Sequence, residues 1–394
     1  MTSEEIIATS KNYLIENYGR LPFVALRGEG AYLWDAENKP YIDLFAGFGA
    51  GGVAGHCHPQ VVEAISKQAS TLLSHGNLFT NAPQALLAKK LISHSFPGKV
   101  FFCHSGAEAD EAALKLVRKV SDGKRYKIIS FENCFHGRTM GGLSLCPPTF
   151  HNGFGPMLEG NINIPFGDLD KLRAVIDAQC AAVFLEPIQG EGGLNVPTEE
   201  FVRGVRDICD EAGLLLVCDE VWTAPARTGK WFAYQHFGIE PDVITLAKAL
   251  GGGAPLAACV VSEKWAEVLG PGMHGCTMGG NPLCSAAGLA TLSLIEKEGL
   301  VERANLLGQQ ISANFSDASL SSISETRGRG AMWGIQLSSN LEAREVMLAC
   351  LEHGIIVGTA KHNVLRLAPP LTVEMDLLKK GVGVLIDTIV RLER

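Results

Sequence analysis

Two short apolar runs, Leu214-Leu215-Leu216-Val217-Cys218 and Val243-Ile244-Thr245-Leu246-Ala247, each end in charge, the first in Asp219-Glu220 and the second in Lys248 ahead of three glycines. Both are short, apolar and rich in strand formers, so they predict strands buried on both faces. In an open α/β sheet, ligands bind outside the carboxyl ends of the strands, which brings Asp219 and Lys248 to one crevice. A lysine ending a core strand is costly unless it is paired or used chemically. A Schiff base with an aldehyde cofactor uses it. A structural Asp/Lys ion pair is the alternative from these two residues alone.

The same patterning extends in both directions. A helix is predicted from Ser3 to Tyr18, then a hairpin from Ala31-Tyr32-Leu33-Trp34-Asp35 to Tyr41-Ile42-Asp43-Leu44-Phe45, turning at Asn38-Lys39-Pro40. Strands at Val100 to Cys103, Tyr126 to Phe131, Ala181 to Leu185 and Leu256 to Val261 are interleaved with helices at Ala107 to Val120 and Glu199 to Ala212. That succession predicts an α/β fold with a mostly parallel central sheet flanked by helices. From Asn281-Pro282 a long helix runs to Glu298, and short strands at Arg329 to Leu337, Gly354 to Val357 and Val364 to Leu367 predict a smaller α+β domain. The expected division is an N-terminal segment 1–50 belonging to the small domain, a large domain 51–285 and a C-terminal small domain 286–394.

Composition narrows the partners. A net charge of −8 with no basic block argues against nucleic acid. Eleven cysteines scattered from Cys57 to Cys350 without a C-x-x-C pair point to reduced thiols and a cytoplasmic location. The segment Met1 to Lys11 carries acids and no apolar core, and no apolar run approaches the ~18 residues of a membrane span, so neither a signal peptide nor a membrane partner is expected.

Several motifs border the same crevice. Ser105-Gly106-Ala107-Glu108 joins a strand to a helix, either as a phosphate seat or as a β-Gly-α turn that holds a water or a side chain. Phe135-His136-Gly137-Arg138 sets a ring beside a guanidinium, either as a surface loop or as a stacking platform with a carboxylate fork. Glu186 to Gly193 ends a core strand with two acids in a glycine-rich turn. Arg366, between apolar neighbours, needs a carboxylate, either Glu191 or a substrate. Two other motifs recede. Gly47-Phe48-Gly49-Ala50-Gly51-Gly52 fits G-x-G-x-x-G, but Ser66 to Thr80 lacks the acid that would hold a ribose, leaving a flexible glycine loop. His56-Cys57-His58-Pro59 has no matching second cluster and predicts a helix start, with no metal site.

Taken together, these motifs resemble the class III pyridoxal-phosphate-dependent aminotransferases. The resemblance runs from about Gly28 to Leu371 and includes Asn77-Leu78-Phe79, Ala247-Lys248-Ala249-Leu250-Gly251-Gly252-Gly253 and Gly279-Gly280-Asn281-Pro282; within the family it leans toward the acetylornithine branch. It implies a fold type I architecture, pyridoxal 5'-phosphate as cofactor, and a homodimer with shared active sites. It also implies transfer of the terminal amine of N2-acetyl-L-ornithine to 2-oxoglutarate, in arginine biosynthesis. Ornithine, succinylornithine or 4-aminobutyrate transamination, or cofactor binding with little turnover, are the alternatives.

By the same resemblance, Lys248 would hold the cofactor covalently and shuttle a proton, and Asp219 would hold the pyridine nitrogen. Ser105, Gly106 and Ala107 would seat the phosphate, with Phe135 and Val221 on the two ring faces and Trp222 at the ring edge. Thr277 would reach the phosphate of the neighbouring subunit, beside Cys276 in the substrate site. Arg138 would bind the remote substrate carboxylate and Arg366 the α-carboxylate of glutamate, with Glu191 masking Arg366 for the other donor. The chain departs from the family at Trp222, where glutamine is usual, and at Ala224, Cys276 and Thr80. Loss of the glutamine is expected to remove a donor to the cofactor's phenolic oxygen.

Overall fold

The two charged runs become neighbouring strands of one sheet. A computed structural model describes residues 1–47, 52–318 and 320–393, so the glycine loop expected at 47–52 lies mostly outside the described residues. The central sheet contains β1 (Gly98–Cys103), β2 (Lys127–Phe131), β3 (Asn161–Ile164), β4 (Cys180–Leu185), β5 (Leu215–Asp219), β6 (Val243–Leu246) and β7 (Ala257–Ser262), in the order β1-β7-β6-β5-β4-β2-β3. Neighbours from β3 through β6 pair in parallel, whereas β7 runs antiparallel between β6 and β1. The reversal follows from the short connection after Lys248, which has no room for the crossover that a parallel partner needs. Every residue of β4, β5 and β6 is buried, as their unbroken apolar runs require.

Helices cover both faces of this sheet. α1 (Gly106–Lys119) follows β1 and opens on a capping box between Ser105 and Glu108. α2 (Glu199–Ala212) turns Phe201, Val202, Val205, Ile208 and Cys209 inward and ends at Gly213 in the left-handed region. β3 was not expected from the sequence, because the polar Asn161 and Asn163 break its apolar pattern. The first helix stops at Tyr13, where Leu14 becomes extended, short of Tyr18.

Two smaller sheets stand beside the central one. The hairpin of Tyr32–Trp34 and Pro40–Asp43 pairs with Arg27–Glu29, and Ile355–Ile356 joins it in parallel, tying the first part of the chain to the last. The other sheet is antiparallel: Ile323–Arg329, Met332–Leu337, Val364–Leu367 and Gly358–Ala360. The single strand expected from Arg329 to Leu337 is therefore the turn and second arm of a hairpin. Among the described residues no helix is long and apolar enough to cross a membrane.

Arg227 bonds three segments together from inside. It is 1% exposed, and its guanidinium donates to the carbonyls of Gly52 (2.6 Å), Pro369 and Ala331 (3.4 Å). Among the described residues no carboxylate is bonded to it, and burial pushes its pKa down to about 9. An arginine suits this place because its planar fork serves several carbonyls at once. Arg227→Met leaves those carbonyls without their donor and is expected to cost about 3 kcal/mol, read as a lower urea midpoint. An unchanged midpoint would remove Arg227 from this role.

Candidate active site

A cavity of about 580 Å³ opens at the carboxyl ends of the parallel strands, a size suited to a small ligand. β1 delivers Ser105, Gly106 and Ala107; the loop after β2 delivers Phe135, His136 and Arg138; β4 ends at Glu186; β5 ends in Asp219; and β6 leads into Lys248. Gly106 and Ala107 are the first two residues of α1, so their N–H groups have no acceptor within the helix. A Cβ on Gly106 would lie 2.8 Å from both methyls of Val221. Only glycine lets the helix end and Val221 close on the same space.

The charges at the strand ends are elaborately supported. Asp219 accepts from the N–H of Val221 at 3.0 Å through one oxygen, and its other oxygen lies 2.8 Å from His136 Nδ1. Burial opposes charge on His136, but Cys134 and Asp219 outweigh it and raise its pKa well above the ordinary imidazole value. Lys248 adopts φ +45°, a strained conformation for a side chain-bearing residue. Burial holds its pKa below the ordinary lysine value with help from Arg366, against the pull of Asp219 and Glu191. Glu186 accepts from the N–H groups of Phe135 (3.1 Å) and Gly190 (3.3 Å), and burial pushes its pKa up to about 8.

One further residue, Arg366, comes from the small antiparallel sheet. Arg366, 1% exposed, donates to Glu191 Oε1 at 2.7 Å and to the carbonyl of Gly190 at 3.5 Å. Its guanidinium carbon sits 4.9 Å from the ring centres of both Phe45 and Trp222. Trp222 lies over the backbone of Gly190, where a Cβ would come within 2.3 Å of the indole. Arg138 is exposed at the rim, 5.2 Å from the ring of Phe135 and 5.0 Å from that of Phe150.

Three of the expected residues do not line this cavity: Arg366 reaches it through Glu191 and Gly190, and Thr277 and Cys276 lie elsewhere. Thr277 is exposed and lines a separate cleft with Asn77, which donates to the carbonyls of Cys276 (2.8 Å) and Gly279 (2.9 Å). Cys276 Sγ lies 3.3 Å from His104 Nδ1, at the outer edge of α1. His56 and His58 diverge, the first toward Asp43 (2.8 Å) and the second to cap the helix Pro59–Ala69. His136 was visible in the sequence only as part of a loop; its place behind Asp219, like those of Phe45 and Phe150, depends on segments far apart in the chain.

These residues fit pyridoxal phosphate. The helix end can take a phosphate, Asp219 a protonated ring nitrogen, and Lys248 an aldehyde. The indole Nε1 of Trp222 is buried without an acceptor, although Trp222 borders the cavity.

The protonation of Glu186 has a measurable consequence. With its pKa raised from 4.5 to about 8, it keeps a proton in the folded chain that the unfolded chain has released. Its contribution to stability is full below the unfolded value and is lost as pH rises through the folded one. Glu186→Gln is expected to flatten the decline of the melting temperature across that interval. Parallel curves for the two proteins would contradict this.

The family described as aminotransferase class-III matches residues 13–389. The acetylornithine aminotransferase of Caldanaerobacter subterraneus subsp. tengcongensis is 44% identical, over 98% of this chain and 99% of its own length. An ornithine aminotransferase structure from Toxoplasma gondii, described with partial occupancy of PLP at its active site, matches with a TM-score of 0.95 and 32% identity, covering 100% of this chain and 95% of that one. The acetylornithine aminotransferase structure from Elizabethkingia anophelis matches with a TM-score of 0.88 and 34% identity, over 99% of this chain and 100% of that one. On the sheet, the lysine and acid at its strand ends, and these likenesses, the chain belongs to the class III aminotransferases, which use pyridoxal phosphate.

Proposed function

We propose that the chain moves the terminal amine of N2-acetyl-L-ornithine to 2-oxoglutarate, giving N-acetyl-L-glutamate 5-semialdehyde and L-glutamate, a step of arginine biosynthesis. The observation that carries this is the Arg366–Glu191 pair, a buried cation covered by a carboxylate that is itself 39% exposed. One site must accept a terminal amine in one half-reaction and an α-amino acid in the other. With Glu191 in place the cation is masked for the acetylated donor; with Glu191 turned toward solvent, Arg366 is bare for the α-carboxylate of glutamate.

Pyridoxal phosphate, when bound, supplies an aldehyde that takes up the amine and a ring that withdraws electrons. Lys248 provides the covalent attachment, and its lowered pKa suits Nζ to accept and return a proton at the reacting carbon. Asp219, backed by His136, keeps the proton on the ring nitrogen. Phe135 and Val221 hold the two ring faces, and Ser105, Gly106 and Ala107 the phosphate. Arg138, resting on Phe135 and Phe150, takes the carboxylate remote from the reacting amine. Trp222 and Phe45 shield Arg366 from water, which strengthens its grip on a carboxylate.

We also propose a homodimer in which Thr277 and Cys276 complete the other subunit's site. Support comes from the exposed apolar side chains around Thr277: Leu78 (97% exposed), Phe79 (71%) and Met278 (51%). The three-part domain division belongs to the same proposal. All eleven cysteines are free, which suits a reducing cytoplasm.

Ornithine transamination is the second possibility, favoured by the TM-score of 0.95 to the Toxoplasma enzyme. The higher sequence identity of the Caldanaerobacter relative favours the acetylated donor. A panel of amino donors with 2-oxoglutarate decides: acetylornithine is expected to give the highest kcat/KM, and higher values for ornithine, succinylornithine or 4-aminobutyrate would replace the proposal. In the same assay, Glu191→Ala is expected to shift the acetylornithine-to-glutamate ratio of kcat/KM by about tenfold or more. Equal losses for both donors would count against the mask.

Trp222 can be tested apart from turnover. Trp222→Gln restores the usual side-chain donor and is expected to lower the pKa read from the cofactor's visible band by about one unit, the effect of one gained hydrogen bond. Superimposable titrations would show that this position does not tune the cofactor.

A further inference from the structure

Behind Asp219 lies a second acid that the catalytic scheme does not use. Asp110 sits on the first turns of α1, 2% exposed, and accepts from the hydroxyl of Thr245 on β6 at 2.8 Å. One oxygen of Asp110, one of Asp219 and a ring nitrogen of His136 all lie within 4.8 Å of one another. Cys103 of β1 and Cys259 of β7 complete the surroundings, and both thiols are pushed well up by burial, so neither brings charge.

The donor inventory is lopsided. Asp219 already receives the Val221 N–H and faces His136 Nδ1. Asp110 has the Thr245 hydroxyl and no cation of its own. Two carboxyl groups this close and this buried disfavour a second ionisation, and of the two it is Asp219 that faces His136 and Lys248. Burial and the neighbouring Asp219 accordingly raise Asp110 well above the ordinary carboxyl range, against the weaker pull of His136 and Thr245.

We propose that Asp110 is a positioning residue that stays a neutral carboxylic acid in the working enzyme and donates its O–H to Asp219. The proton remains on Asp110; Asp219 remains the anion. Three donors then hold Asp219: the Val221 N–H, the His136 N–H and the Asp110 O–H. They stop the carboxylate rotating away from the ring nitrogen and moderate how tightly it binds that proton. Ionisation of Asp110 at high pH would withdraw the donor and set a second negative charge beside the first. This rests on the role proposed for Asp219, but the proton on Asp110 can be observed independently of it.

Infrared difference spectra of the holoenzyme, wild type minus Asp110→Asn, test the proton directly. In the difference spectrum, where the retained proton of Glu186 cancels, the C=O stretch of a protonated carboxyl is expected at neutral pH from the wild type alone. A carboxylate signal in its place would overturn the proposal whatever the activity. Asparagine keeps both the acceptor for Thr245 and a donor for Asp219, whereas valine removes both. Asp110→Val is therefore expected to lower kcat about tenfold with little change in KM and to shift the cofactor's visible band, and Asp110→Asn to recover most of both. Equal losses in the two variants would show that the O–H donor is not what matters. If Asp219→Asn leaves the cofactor band unmoved, the role of Asp219 fails while the infrared result on Asp110 still stands.

Discussion

Keeping an amine and several carboxyl groups together in one crevice, most of them buried, is the constraint on which this structure depends. Lys248, Asp219, Glu186 and Asp110 all border the same cavity, where unbalanced charge is expensive. The fold meets that cost locally. Asp219 is held by a backbone N–H and an imidazole, Glu186 by two N–H groups and a retained proton, and Lys248 by a lowered pKa. The resulting pKa shifts are what proton-transfer chemistry near neutral pH requires.

The sheet makes this possible because its parallel strands end at one edge. β4, β5 and β6 are apolar throughout and terminate beside one another, so the residues following them converge without long loops. The antiparallel β7 brings the chain back from Lys248, and β1 then sends α1 into the cavity from the other side of β7. The helix end, the lysine and the acid are thus fastened to one rigid layer.

Arg366 belongs to a different layer. It arrives on the small antiparallel sheet, and its place between Phe45 and Trp222 requires the first part of the chain, the turn after β4 and the C-terminal strands to meet. Arg227 bonds the carbonyls of Gly52, Ala331 and Pro369 from beneath. The substrate side of the site therefore depends on how the layers are joined, while the cofactor side is built within one.

That difference separates what was legible in the sequence from what was not. The strands ending at Asp219 and Lys248, the capped start of α1 and the acid-bearing turn after β4 follow from local periodicity, because each is decided by neighbours a few residues away. The need of Arg366 for a carboxylate was also readable, from the cost of burying an unpaired cation. Periodicity could not show β3, whose asparagines interrupt its pattern, nor that the Arg329 to Leu337 strand was half of a hairpin. The sequence by itself determined the strand-and-helix order and the chemistry carried at the strand ends. Only the tertiary structure decided that His136 and Asp110 stand behind Asp219, that Trp222 leaves an indole N–H without an acceptor, and that Glu191 covers Arg366. Those outcomes depend on through-space distances between residues dozens to hundreds of positions apart, and neither propensity nor spacing along the chain encodes them.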